Sequence, residues 1–385
     1  MSRDLIWMAC ALLVWGLGEG AFFSFQPLYL QQLGANPINI GAILGGYSLA
    51  ATLAHIPAGF LADRIGRRPL MWAAWVIGLL AAWLMVLGTT LPVFVTGMIL
   101  YGTTMFVISP MNSYITAARG SMSVGRALTL ISSMYNIGAV IGPLVGGWLG
   151  ETYGLRSVFL FGACIIIISN FFIFLIRPQP VEGRTMLQGN ERLFANTGYL
   201  RFLGLMFLAT FAMYLPQPLA PNYLQNQREL SLVAIGQLYS INALGVVLSN
   251  LLLGQLEHRL GYLLGQVASG LFALILWQQT GMLWYSVAYL FAGGYRTARS
   301  LAIAHVQSLV HTSNMGLAFG FTETIAASAT ILVPILAGVL YARDPHWIFP
   351  VCLALIAISI LANTIHLYIR PSRQKDAISI SRSSP

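Results

Sequence analysis

Gly59-Phe-Leu-Ala-Asp63-Arg64-Ile-Gly66-Arg67-Arg68-Pro-Leu70 is the densest run of charge in the chain, and it stands between two long apolar segments. A helix crossing a bilayer needs roughly 20 apolar residues, and both neighbours supply them. The stretch reads as a spanning helix that ends near Leu61. Asp63, Arg64, Arg67 and Arg68 then occupy a turn too short to be anything but a tight cytoplasmic connection.

Composition places the rest of the chain in the same setting. Charged residues are 8% of 385 and apolar ones 57%, against about 25% and 45–50% in a typical soluble domain. A soluble surface of this size needs more polar material. The formal charge of +9 includes a single lysine, Lys375, and the arginines are scattered through short loops. No basic patch is large enough to track a phosphate backbone, so a nucleic-acid partner is not expected. Cys10, Cys164 and Cys352 lie far apart in apolar segments and read as buried free thiols. Neither a Gly-rich phosphate loop nor a metal-ligand spacing is present, so no cofactor, no metal and no enzymatic activity are expected.

Twelve apolar segments follow, at about 6–32, 38–62, 69–88, 91–113, 128–150, 156–176, 199–224, 231–253, 260–279, 282–305, 317–341 and 347–369. The first reads as a spanning helix rather than a cleaved leader. Glycine and proline mark the joins, as at Gly34-Ala-Asn-Pro37 and Asp344-Pro345. Of the 20 Lys and Arg residues, fifteen fall on one side and Arg156, Arg228 and Arg343 on the other; Arg296 and Arg299 lie within the tenth segment. That imbalance puts both termini in the cytoplasm. Short loops suit a prokaryotic inner membrane. Residues 178–198 are polar and read as a cytoplasmic linker, with a short surface helix near Glu191 to Phe194. The serine-rich tail 371–385 reads as disordered.

The chain also repeats itself. Gly59-Phe-Leu-Ala-Asp-Arg-Ile-Gly66 recurs as Gly254-Gln-Leu-Glu-His-Arg-Leu-Gly261, 195 residues later, and Gly41 maps onto Gly236 at the same shift. Pro27-Leu-Tyr-Leu-Gln is echoed by Pro221-Asn-Tyr-Leu-Gln. Gly125, Pro143 and Gly147 are echoed by Gly316, Pro334 and Gly338. Four echoes in order imply two related halves, 1–177 and 199–370.

Gly59, Leu61, Asp63, Arg64, Gly66, Arg67 and Arg68 together resemble the signature loop between helices 2 and 3 of the major facilitator superfamily. The resemblance covers residues 6–370. It implies an all-α polytopic membrane protein of twelve transmembrane helices in two six-helix pseudo-symmetric halves. It also implies alternating access to a substrate held between the halves. In that family the loop is a cytoplasmic gate, a role implied here for Asp63, Arg64 and Arg67. In the copy, His258 replaces the aspartate and no arginine pair follows Gly261, so a weaker or titratable second latch is expected.

Gly138-Ala-Val-Ile-Gly142-Pro143-Leu-Val-Gly146-Gly147 resembles the fifth-helix motif of the family's exporter branches, typically drug:proton antiporters. Glycines four apart line one helical face and admit close packing, which also describes an ordinary glycine seam. Tyr101 to Pro110 resembles the fourth-helix pattern of the same exporters, but Met98 stands where they carry an arginine linked to proton coupling. Coupling must then use other residues, or the protein is not an ordinary proton antiporter.

Charge within the membrane costs roughly 2.5–3.5 kcal/mol or more per residue and so faces a cavity or a partner. Glu19, between Gly18 and Gly20 in the first segment, is the candidate proton or cationic-substrate site. Arg296 lies at similar depth in the tenth. The family's fold implies that both line the central cavity, where Arg296 would pair with Glu19 or hold an anionic group. Arg299 and Glu323 sit equally deep on consecutive segments and read as a structural ion pair. Gln26, Tyr101, Asn112 and Gln217 are cavity candidates. The expected partners are a small-molecule substrate, protons and membrane lipids, with the protein acting as a monomer. Export of a small hydrophobic or amphipathic compound against protons is the leading reading. A carrier of sugars, organic anions or lipid-like metabolites is the alternative, and a non-transporting receptor or scaffold the remote one.

Overall fold

The computed structural model describes the backbone of residues 2–179, 196–307, 309–310 and 315–366, and their side chains apart from 56–64 and 315–317. These residues form α1 (Arg3–Phe23), α2 (Gln26–Gln32), α3 (Pro37–Ile65), α4 (Arg67–Leu87), α5 (Leu91–Thr103), α6 (Ile108–Ala118), α7 (Val124–Tyr153) and α8 (Leu155–Phe174). They continue with α9 (Thr197–Tyr214), α10 (Ala220–Arg228), α11 (Leu232–Leu253), α12 (His258–Gln278), α13 (Met282–Ala292), α14 (Gly294–Val306), α15 (Met315–Arg343) and α16 (Ile348–Thr364). No strand occurs among the described residues. Eleven helical stretches among them are long and apolar enough to cross a membrane. The tenth predicted segment is not one of these, because Gly293 divides it into α13 and α14.

Proline accounts for most other breaks. Pro27 is the second residue of α2 and Pro221 the second of α10, while Pro216 and Pro218 lie in the connection between α9 and α10. Each lacks the N–H that would continue a helical ladder. Pro110 withholds a donor from the turn before it, and Thr104–Val107 tightens into a 3-10 turn between α5 and α6.

Two expectations need correction. The charged connection is a single residue rather than a loop beginning after Leu61. α3 runs to Ile65 and α4 starts at Arg67, so Asp63 and Arg64 belong to the last turn of a helix. Gly66, at φ 86° and ψ 167°, turns the chain alone because it has no side chain to clash. The thiols also differ from one another: Cys352 is buried, Cys10 half-buried and Cys164 exposed on α8. The helix expected near Glu191 to Phe194 and the tail 371–385 lie outside the described residues.

Residue contacts divide the chain into two compact units. The first comprises Met1–Met186, Gln217–Ala243 and Ile331–Pro345, the second Leu187–Pro216, Leu244–Thr330 and His346–Pro385. In the first unit, α1 packs most extensively on α7, then on α8. The glycine seam explains why. A Cβ at Gly138 would lie 2.2 Å from the Leu13 carbonyl oxygen, one at Gly142 2.6 Å from Ala21 N, and one at Gly146 2.1 Å from the Ala21 carbonyl oxygen. Such distances tolerate no side chain at all. Pro143 stays inside α7 without ending it.

The sequence echoes meet within this unit. A Cβ at Gly41 would lie 2.2 Å from the Pro334 carbonyl oxygen, and one at Gly236 2.2 Å from that of Pro143. Gly338 and Gly147 lie beside those same glycines, with Cα atoms 3.2 Å from the two positions. Repeated residues thus make repeated contacts, α3 on α15 and α11 on α7.

In the second unit α12 is the centre, against α13, α14, α16 and α9. Gly265 and Gly294 bring α12 and α14 together, and Gly293 beds on Gly245 of α11. Ser359 Oγ donates to the buried Gln266 Oε1 at 2.8 Å, fixing α16 on α12.

Candidate functional site

Glu19 is buried, with 6% of its surface exposed. Trp15 Nε1 donates to Glu19 Oε2 at 3.1 Å and Tyr135 Oη donates to the same oxygen at 3.0 Å. Both donors are neutral. Trp15 stands four residues before Glu19, one helical turn away on the same face of α1. Its ring fits because Gly78 leaves room: a Cβ there would come within 2.3 Å of the Trp15 ring. Tyr135 stands one turn before Gly138, so the seam that presses α7 onto α1 also delivers this hydroxyl to the carboxylate. Tyr101 completes the cluster. It is fully buried, its ring stacks on Trp15 with centroids 5.9 Å apart, and it meets Phe22 edge-on. Its hydroxyl feels the charge of Glu19 but has no well-aligned hydrogen bond.

Of the other cavity candidates, Gln26 is buried on α2 with its Nε2 lacking a hydrogen bond, and Asn112 is exposed on α6. Gln217 is half-buried in the connection between α9 and α10. Met98 is buried on α5.

Arg296 belongs to the second unit and is exposed on α14. Arg299, one turn further, donates to Glu323 of α15, with the Tyr295 hydroxyl close by. Tyr295 stacks on Tyr214 of α9, with centroids 5.4 Å apart.

At the α3–α4 junction the side chains of Asp63 and Arg64 lie outside the described set, as does that of Gly59's neighbour Phe60. Arg67 donates to Gln179 Oε1 at 3.2 Å, and Gln179 Nε2 donates to the Tyr114 carbonyl at 3.0 Å. Arg68 lies over the Trp72 ring, 3.8 Å from its centroid. Nearby Arg177 pairs with Asp4 at 3.2 Å, an ion pair that holds the guanidinium more firmly protonated than usual. His258 opens α12 with its ring 5.0 Å from that of His305.

Sequence reading missed a group at the opposite end of the first unit. Gln31 Oε1 accepts from Asn222 Nδ2 at 2.7 Å and Asn226 Nδ2 at 2.9 Å, and Gln31 Nε2 donates to Asn226 Oδ1 at 3.1 Å. Asn226 Nδ2 also reaches the Tyr341 hydroxyl at 3.3 Å. This uncharged clasp joins α2, α10 and α15. Beside it, Glu151 Oε2 accepts from Leu232 N at 2.7 Å, tying the end of α7 to the start of α11. The signal was present in the echo of Pro27–Gln31 by Pro221–Gln225, whose following residue is Asn226.

Apolar helices in this number, glycine seams and a buried carboxylate define a multi-pass integral membrane protein of the transporter class. The family model for the Major Facilitator Superfamily matches residues 8–332 and, in a second match, 202–383. The chain belongs to that superfamily and carries out secondary transport across the membrane. Its relatives include Multidrug resistance protein MdtG of Escherichia coli, 31% identical over 281 residues, which cover 68% of this chain and 67% of that protein. An uncharacterized MFS-type transporter, MJ1560 of Methanocaldococcus jannaschii, is 30% identical over 146 residues, and the match spans only 38% of either chain. Among solved structures, the nucleoside transporter NupG superposes with a TM-score of 0.78 at 15% identity, covering 95% of this chain and 98% of that one. A POT family transporter in complex with 5-aminolevulinic acid gives 0.80 at 12% identity, covering 97% of each. These two likenesses concern the fold alone.

Proposed function

We propose that this chain is a proton-coupled exporter of a small hydrophobic or amphipathic compound, working by alternating access. In this reading twelve spanning helices form two pseudo-symmetric six-helix halves, residues 1–177 and 199–370, joined by the linker 178–198. Both termini, including the tail 371–385, face the cytoplasm of the plasma membrane, and the protein acts as a monomer. Asp63, Arg64 and Arg67 form the cytoplasmic gate. The amide clasp of Gln31, Asn222 and Asn226 closes the opposite end. The reciprocal packing of Gly41 on Pro334 and Gly236 on Pro143 supports the two-half arrangement. Likeness to a multidrug resistance protein and the glycine seam on α7 support export.

The observation that carries the coupling is Glu19, a buried acid whose hydrogen-bond donors Trp15 and Tyr135 are neutral. Burial and neutral donors on one carboxylate oxygen are a setting in which proton and substrate can compete. The test is proton release on substrate addition, measured with purified protein in weakly buffered detergent against lipophilic cations, neutral drugs, sugars and organic anions. Wild type should release protons with at least one class and Glu19→Gln with none. Binding without release in both proteins would sink the antiport mechanism.

A second reading, a carrier of sugars, organic anions or lipid-like metabolites, draws on Met98, buried where an exporter arginine is expected, and on Arg296. Release by neither protein, with sugars or anions bound, would favour it.

A further inference from the structure

The amide clasp at the end of the first unit borders a cavity of about 230 Å³. Gln31, Asn222, Asn226 and Tyr341 line its polar side, and Ala35, Ile40 and Leu219 its apolar side. All of them belong to the first unit. No lining side chain is charged. Pockets for drug-sized ligands run to roughly 300–1,000 Å³, so a guest here is smaller than a drug. The register of the sequence echoes relates this cavity to a second one, where Gln225 stands for Gln31 and Gly150 for Tyr341. That one carries Glu151 and Glu229. Neutrality is therefore particular to the first cavity and is not imposed by the fold.

The clasp leaves one of its own groups unused. Asn222 is 1% exposed, and its Nδ2 donates to the Pro27 carbonyl at 3.2 Å and to Gln31 Oε1 at 2.7 Å. Its Oδ1 is buried and accepts no hydrogen bond among the described residues. The neighbouring amides are turned to one another: Gln31 Nε2 donates to Asn226 Oδ1, and Asn226 Nδ2 to Gln31 Oε1 and the Tyr341 hydroxyl. A buried acceptor without a donor is costly, and a guest bearing an N–H or O–H relieves that cost. A carboxylate would set oxygen against oxygen, and a cation would find no countercharge on the lining.

We propose that this cavity is a binding site for small neutral compounds that carry an N–H or O–H donor on an apolar body, carboxamides foremost. Asn222 accepts from the donor, and Ala35, Ile40 and Leu219 hold the body. Asn222 keeps its clasp bonds through Nδ2 while Oδ1 takes the guest, so occupancy adds a bond to the clasped arrangement and stabilises it. Where the clasp closes one end of a transporter, which rests on the reading above, such a compound is a brake acting from that end and not the carried substrate.

The test uses full-length protein in nanodiscs and four probes of similar size: benzamide, acetophenone, benzoate and benzylammonium. Calorimetric binding at pH 7.5 is corrected against empty nanodiscs. Acetophenone matches benzamide in shape but lacks the N–H, so wild type should bind benzamide about five- to a hundredfold more tightly. Benzoate and benzylammonium should both bind more weakly than benzamide. Asn222→Leu should abolish the preference for benzamide over acetophenone. Asn226→Ala, which loosens the clasp but keeps the Asn222 acceptor, should retain it. Ala35→Leu, which fills part of the cavity, should lose binding of both neutral probes. Benzamide should raise the melting temperature of wild type and leave that of Ala35→Leu unchanged. Equal affinity of wild type for benzamide and acetophenone, including no binding of either, would overturn the proposal. So would tighter binding of benzylammonium, or a preference that survives Asn222→Leu. The outcome separates from that of the coupling reading: benzamide binding that needs Asn222, with no proton released by wild type on addition of any compound, leaves the site standing and removes the antiport.

Discussion

Glu19 and Arg296 are both charges on apolar helices, yet their surroundings are opposites. Glu19 is enclosed: 6% of it is exposed, two neutral side chains hold one of its oxygens, and glycines at Gly16, Gly138 and Gly142 press the neighbouring helix against it. Arg296 is open, on a stripe of α14 whose other exposed members are Ser300, Ala304 and Gln307. The first arrangement suits the proton site proposed above, because an enclosed acid is held by the side chains packed around it. The second controls nothing until something arrives, which suits recognition. The difference teaches that depth in the membrane alone does not assign a role to a charge; what surrounds it does.

The largest way to break this contrast is to fill the enclosed side. Gly138→Leu would drive a side chain into the Leu13 carbonyl, 2.2 Å from its first carbon. The helices must part, at a cost of about 1–3 kcal/mol or more, and Tyr135 leaves Glu19 with them. Ser300→Leu, on the open stripe, should disturb stability by no more than about 0.5 kcal/mol. Yield of monodisperse protein and thermal melting would compare the two. Equal tolerance would mean that the seam does not hold the pocket together.

A smaller effect sharpens the same contrast at the charges themselves. Glu19→Ala leaves the Trp15 N–H and the Tyr135 O–H buried without their acceptor, a loss of about 1–3 kcal/mol. Arg296→Ala strands no buried group and should stay within about 0.5 kcal/mol of wild type. Melting followed by tryptophan fluorescence reads both, and Trp15 reports directly on the first. A greater loss at Arg296 than at Glu19 would reverse the assignment of closed and open sites.

How far the sequence made this visible follows the same division. The glycine seam and Glu19 were legible because a run of glycines four apart and a lone acid in an apolar segment are both rare on physical grounds. Trp15 was legible in principle, since a residue four before Glu19 must share its face. Tyr135 was not, because 116 residues separate it from Glu19 and only the packing of α7 on α1 brings them together. Helix breaks at Phe25 and Gly293 escaped an apolar count, which sees continuous hydrophobicity where Pro27 and a glycine pair end the hydrogen-bond ladder. The charged junction was read too long for the converse reason: Asp63 and Arg64 look like loop residues, yet a helix end carries charge readily and Gly66 alone makes the turn. The clasp at Gln31 stayed hidden because amides give no charge signal in a hydropathy reading.

The smallest effect concerns Arg299 and Glu323, which lie between the two extremes. Their side chains are 32% and 50% exposed, so solvent screens the pair and its contribution to stability is about 0.2–1 kcal/mol. Reversal of one charge alone places two like charges together, and Arg299→Glu or Glu323→Arg should each lower the melting temperature slightly. The double swap should return it to wild type if the pair is structural. Failure to recover stability would show that Arg299 is held by Tyr295 rather than by Glu323.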